Sequence, residues 1–245
     1  MFHKTANVRQ LWGTRRPTAA LFHSSRRIWD NQKVVKSYFD LLPRTFPDGA
    51  PPNGSFFVDA KSLRREFRTL QSENHPDIIL GSSVLNENKN GSDGDGAERT
   101  DDKFSALLNR AYSTLKNPYS RIAHIVELNH PEHPDITRDE VAKDLIAQFQ
   151  TASPESSLEY KEMLMNVLEA HEQLEMATSE TDLDTLSQEN DERIRASEET
   201  IDSLLKQHPL NWDSVMMEAI KLKYWVNIHQ AIRDWEPGKP VHLTH

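Results

Sequence analysis

DAKSLRREFRTLQSENHPD, residues 59–77, decides how this chain is read. Asp59 stands where a helix N-cap is needed, and the helix it opens runs to about Ser72. Leu63, Phe67 and Leu70 fall at i, i+4 and i+7 and make one buried stripe. Lys61, Arg64, Arg65 and Arg68 fall at i, i+3, i+4 and i+7, with Glu66 the one acid among them. At about 100° per residue the two sets lie on opposite sides of the helix. The chain then turns at His75-Pro76-Asp77, because the residue before a proline is pushed out of the helical region.

The rest of the chain makes that basic face conspicuous. The protein has 245 residues, 36% of them hydrophobic, a mean hydropathy of −0.71 and a formal net charge of −9. Such a charge argues against nucleic-acid binding through the global field. Cysteine is absent, which excludes disulfides, thiol catalysis, thiolate zinc sites and a resident cysteine-ligated iron–sulfur cluster. No apolar run is long enough to cross a membrane as a helix. Scarce glycine and few β-branched runs predict helices rather than a sheet sandwich.

Residues 1–29 form a separate population. They hold Lys4, Arg9, Arg15, Arg16, Arg26 and Arg27, and no acid comes before Asp30. With Ser, Thr and scattered apolar residues between the cations, this reads as an organellar transit peptide, with a plain basic tail as the alternative. Without these six cations, 23 basic residues face 38 acidic ones, a net charge of −15. On that background, four cations on one helix face point to an acidic partner as readily as to a solvated surface.

Outward from the opening stretch, Gln32 to Leu42 reads as a short helix stopped by Pro43 and a loop rich in Pro and Gly. Residues 81–103 hold four of the eight glycines and few bulky apolar side chains, and are expected to be a flexible insert. A helix from about Asp101 to Lys116 places Phe104, Leu107, Leu108, Ala111 and Leu115 on one face. Asn117-Pro118 breaks it, and Tyr119 to Leu128 forms another helix. A Pro-rich connection over 129–138 follows. It repeats the tripeptide as His133-Pro134-Asp135, but with no basic helix before it, and reads as a linker rather than a metal site.

Residues 139–236 read as a helical bundle: a short helix from Asp139 to Phe149, then Glu155–Ala177, Asp182–Gln207 and Asn211–Trp235. Met163, Val167, Ala170, Leu174 and Ala177 share a core face, within about 40° of its centre. Leu164 and Leu168 lie about 100° and 140° from that centre and Met165 farther still. This second apolar stripe asks for another partner. The last helix has a similar surplus: Val215, Ala219, Leu222 and Val226 on one side, Met217, Tyr224, Ile228 and Trp235 on the other. There the surplus fits either a central helix packed on both sides or an exposed contact.

A basic helix, a His-Pro-Asp loop and an apolar helix after it together resemble a J-domain, the antiparallel hairpin of DnaJ-type co-chaperones. Two further stretches are more specific: Ser37-Tyr38-Phe39-Asp40-Leu41-Leu42, and the run from Leu107 through Asn109-Arg110-Ala111-Tyr112 to Asn117-Pro118-Tyr119-Ser120-Arg121. They are similar to the HscB branch, the J-type co-chaperones of iron–sulfur cluster biogenesis, in its fungal Jac-type form. The likeness spans roughly residues 36 to 236. Ile78 where many J-domains carry Lys, His124-Ile125-Val126, and the insert are departures from the pattern.

The resemblance implies an all-α protein: a transit peptide over 1–29, a J-domain over 36–128 with its insert at 81–103, a linker over 129–138, and a C-terminal three-helix bundle over 139–236 that binds a scaffold. His75, Pro76 and Asp77 would stimulate the ATPase of a mitochondrial DnaK-type chaperone of the heat-shock-70 class, docked on Lys61, Arg64, Arg65 and Arg68. Leu164, Met165, Leu168, Glu169, Glu172 and Tyr224 would hold an iron–sulfur scaffold protein of the IscU type. No cofactor, metal, nucleic acid or membrane enters this expectation, and the protein would act in the mitochondrial matrix as an activator of a partner's ATPase rather than as an enzyme. The alternative is a J-domain co-chaperone for a different mitochondrial client or a translocation complex. An enzyme built on His75 with Asp77, or on His130 and His133, lacks a phosphate loop or a convergent acid–base pair.

Overall fold

The computed structural model describes residues 37–73 and 95–238, and every regular element among them is helical. In chain order these are a single 3-10 turn at Tyr38–Leu41, α1 (Ala60–Glu73), α2 (Asp95–Lys116), α3 (Pro118–Asn129), α4 (Asp139–Ala152), α5 (Pro154–Met176), a 3-10 turn at Glu180–Leu183, α6 (Asp184–Leu205) and α7 (Trp212–Arg233). The first is shorter than the helix expected from Gln32 to Leu42. Ser37 is extended (φ −148°, ψ 152°) and closes a capping box with Asp40, so the helical backbone starts after it. Residues 32–36 lie outside the described residues.

Local chemistry places most boundaries. Asp59 accepts from the Lys61 N–H at 3.0 Å and from the Ser62 hydroxyl at 2.6 Å, opening α1 where the sequence predicts. Asn117 accepts from the N–H groups of Tyr119 and Ser120 at 2.9 and 3.2 Å, with Pro118 at the first helical position of α3. Ser153 and Pro154 open α5 in the same way, and Asn211 caps α7 through the Ser214 N–H. Helix α2 begins at Asp95, inside the stretch expected as an insert. Gly96 is only its second residue, in the first turn, and the good helix formers Ala97, Glu98 and Arg99 follow it.

Two buried clusters organise the packing. The first gathers Phe39, Leu42, Phe56, Leu63, Leu108, Leu115, Ile122 and Ile125, and continues into Ile201 and Leu205 of α6 and Val215, Ala219 and Leu222 of α7. The second joins Tyr160, Met163, Val167, Ala170 and Leu174 of α5 to Met217, Ile220, Trp225 and Ile228 of α7. Helix α7 therefore contributes to both, one face to each. A buried guanidinium ties the first cluster together. Arg121 of α3 donates to the carbonyls of Leu115 (2.9 Å) and Phe56 (2.8 Å), meets Glu198 of α6 at 3.2 Å, and lies over the Phe56 ring. The Phe56 N–H in turn donates to Asp202 of α6 at 3.0 Å.

Candidate partner-binding surfaces

Helix α1 turns Leu63 into the core and rests Phe67 against Tyr112 of α2, the rings stacked 4.2 Å apart. Lys61, Arg64, Arg65 and Arg68 are exposed, and none forms an ion pair with a described residue. Glu66 does not belong to that surface. It is buried, and its carboxylate accepts from the N–H groups of Arg44 (2.9 Å) and Thr45 (2.7 Å) and from the Thr45 hydroxyl (2.6 Å). The one acid in the basic run thus fastens α1 to the preceding loop and leaves the outer face uniformly cationic. His75, Pro76 and Asp77 lie outside the described residues.

Nearby, His124 of α3 shows how the helices hold the 3-10 turn. Its Nε2 accepts the Tyr38 N–H at 3.3 Å, and its ring stacks on Tyr38 at 4.2 Å. Burial drives its pKa down to about 4, so the ring is neutral and able to accept. The second tripeptide has a loop-building role. His133, at φ 49°, donates Nδ1–H to the Glu127 carbonyl at 2.6 Å, and Asp135 accepts from the Thr137 N–H and hydroxyl. Among the described residues, no three His, Asp or Glu side chains converge as a metal site would require.

The second surface lies on α5. Met163, Val167, Ala170 and Leu174 are buried, whereas Met165 is 69% and Leu168 66% exposed. Leu164 sits between, half-buried against the second cluster. Tyr224 of α7 is also partly buried on that cluster, beside Tyr160, which precedes Leu164 by one turn. Burial first, and then the neighbouring Tyr224 hydroxyl, push the Tyr160 hydroxyl above its usual value. Glu169 and Glu172 are exposed. The surplus stripe of α7 has a different fate: Met217 and Ile228 are core, joined by Trp225 and Ala231, and Tyr224 and Trp235 pack at the cluster's edge.

Sequence reading missed Trp225, whose carbonyl receives the buried Asn190 amide at 2.9 Å and whose ring lies under Arg193. It also missed Leu158 and Met176, exposed on α5 like Met165 and Leu168. Continuing the surplus stripe by whole turns in both directions would have found both.

Residues 159–233 match the family model described as the HSCB C-terminal oligomerisation domain. The chain is 27% identical over 214 residues to the mitochondrial J-type co-chaperone JAC1 of Saccharomyces cerevisiae, covering 87% of this chain and 96% of the relative. Over most of its length the chain is thus similar to HscB-type co-chaperones. The human iron-sulfur cluster co-chaperone protein HscB is 24% identical over 199 residues, 81% of this chain and 68% of its own. The solved structure of Saccharomyces cerevisiae Jac1 superposes with a TM-score of 0.55 at 26% identity, over 86% of this chain and all of that one. The HscB-type fold is a J-domain followed by a helical C-terminal bundle, and this chain has it. Its Jac-type relatives are named mitochondrial, which indicates a mitochondrial protein.

Proposed function

We propose that this HscB-type protein is a co-chaperone of the mitochondrial matrix that carries an iron–sulfur scaffold protein to a DnaK-type chaperone and stimulates that chaperone's ATPase. The chain itself catalyses nothing in this scheme; hydrolysis belongs to the partner. The observation that carries the reading is the pair of unlike surfaces on one acidic chain: a cationic face on α1, the acid interspersed among its cations being buried, and an apolar, acid-rimmed face on α5 beside Tyr224.

Each surface suits its partner's chemistry. Lys61, Arg64, Arg65 and Arg68 offer steering charge to an acidic chaperone surface, and His75-Pro76-Asp77 follows directly in sequence to act on it. Leu164, Met165, Leu168 and Tyr224 supply the apolar contact for the scaffold, with Glu169 and Glu172 as its polar rim. Functionally the chain then divides into a leader over 1–29, a chaperone-facing region over 36–128, a connection over 129–138, and a scaffold-facing region over 139–236. Joining two modest contacts in one chain raises the effective concentration of scaffold at the chaperone.

Two variants in one ATPase assay test the scheme. Asp77→Asn abolishes stimulation while scaffold binding persists. The Leu164→Ala/Leu168→Ala/Tyr224→Ala variant loses scaffold binding while stimulation without scaffold persists. Stimulation surviving Asp77→Asn removes the mechanism, and full scaffold affinity in the triple variant removes the client.

A further inference from the structure

All six sulfur atoms of this chain are methionine thioethers, because cysteine is absent. An oxidant that reaches the protein has no thiol to consume first, and exposure decides which thioether it meets. The described residues sort the methionines sharply. Met163, Met216 and Met217 are 5%, 6% and 4% exposed and belong to the buried clusters, whereas Met165 and Met176 are 69% and 73% exposed. Met163 and Met165 are near neighbours on α5, yet about 200° of helical rotation puts one in the core and the other in water.

Met165 stands inside the proposed scaffold face, next to Leu164 in sequence and one turn before the exposed Leu168. Met176 lies about 16 Å farther along the helix at 1.5 Å per residue. The surroundings of Met165 make its oxidation consequential. Residues three or four positions away on a helix are surface neighbours, and for Met165 these are Lys161, Glu162, Leu168 and Glu169, all exposed. The two carboxylates only accept hydrogen bonds and Leu168 offers none, so a sulfoxide oxygen covered by a partner here gains no donor from them. Lys161 alone of the four can donate, and it lies one turn to the other side of Met165 from Leu168. A thioether suited to an apolar contact becomes, with one oxygen added, a polar group whose burial there is costly.

A peroxide supplies the oxidant. The lone pair of the Met165 Sδ attacks one peroxide oxygen, the S–O bond forms as the O–O bond breaks, and the second oxygen leaves with both protons as water. Sulfur loses two electrons and the peroxide gains them. A dithiol-dependent methionine sulfoxide reductase reverses the change, releasing the oxygen as water while its two thiols become a disulfide. We infer that Met165 is a reversible, peroxide-sensitive modification site, whose sulfoxide releases the scaffold protein from α5 and whose reduction restores the contact. This rests on the scaffold reading above and adds a means of regulating it.

The test treats the full-length chain alone with hydrogen peroxide, removes the peroxide with catalase, and titrates the chain into purified scaffold by calorimetry, with peptide mass spectrometry locating each sulfoxide. Met165 is oxidised well before Met163, Met216 and Met217, and affinity falls about tenfold, the size expected when an acceptor is buried without a donor. Methionine sulfoxide reductase with a dithiol restores it. Met165→Leu keeps the apolar contact, binds as the parent does and is insensitive to peroxide, whereas Met176→Leu responds like the parent. Full affinity in a chain that carries the Met165 sulfoxide overturns the inference and leaves the scaffold reading standing. A peroxide-induced loss that persists in Met165→Leu overturns it as well, and so does oxidation of the buried methionines as fast as Met165. Failure of the untreated chain to bind scaffold overturns both.

Discussion

In α5, Leu164, Met165 and Leu168 stand off the core face; in α7, Met217, Tyr224 and Ile228 do the same. The sequence shows one surplus twice. In the folded chain α7 lies between two buried clusters and gives a face to each, so Met217 and Ile228 are 4% and 1% exposed. Helix α5 touches only the second cluster; Leu164 is half-buried at its edge, and Met165 and Leu168 are left in water. An apolar stripe therefore reports that something must cover it, and the helix's place in the bundle decides whether that is the protein itself or a partner.

Truncations on the two helices give the sharpest test of this contrast. Trp225→Ala in α7 is expected to lower stability by about 3–5 kcal/mol, the range for emptying a large aromatic site. Urea denaturation reads this directly, and a loss below about 1 kcal/mol breaks the claim that α7 is packed on both sides. On the first cluster's side, Arg121→Met leaves Glu198 and the carbonyls of Phe56 and Leu115 without their buried donor, for about 3 kcal/mol. The same measurement on Arg121→Met checks whether α6 and α3 are joined by more than apolar contact.

A pH titration probes the first cluster without mutation. The folded pKa of His124, about 4, lies below its ordinary value of 6.5, so the unfolded chain binds more protons between those values. Its contribution is complete above about pH 6.5 and is lost as the pH falls toward 4. Stability should fall by about 1–2 kcal/mol between pH 6.5 and 5 from this group. Denaturation midpoints for the parent and His124→Phe across that window check it; equal slopes refute the assignment. The smallest effect belongs to α5: Leu168→Ala should change stability by less than about 0.5 kcal/mol, because the side chain already faces water. Its scaffold affinity should nonetheless drop about tenfold, as expected for an interface anchor.

Glu66 and Glu172 illustrate what was legible and what was not. Both are glutamates on helices near other charges, and periodicity makes Glu172 a surface residue while it sets Glu66 at the margin of the buried stripe, about 65° from its centre. Glu172 is one. Glu66 is buried because three donors from a loop about twenty residues earlier converge on it, a relation no local pattern encodes. The same holds for Asn190 and Trp225, whose meeting joins two helices thirty-five positions apart. The start of α2 at Asp95 was obscured for a different reason: the polar, glycine-bearing composition around Gly96 resembles a loop, while the helix propagates from its well-packed end.

By itself the sequence determined the helical class, the capping at Asp59, the core faces of α1, α2 and α5, and the cationic face of α1. These depend on spacing along the chain and on side chains that bond their own backbone, and both are local. Only the tertiary structure decided that Glu66 is buried on the donors of Arg44 and Thr45, that Arg121 locks α3 to α6, and that α7 consumes its second stripe while α5 leaves Met165 and Leu168 in water. Those outcomes turn on which surfaces meet, and that is settled by burying apolar area between segments far apart in the chain.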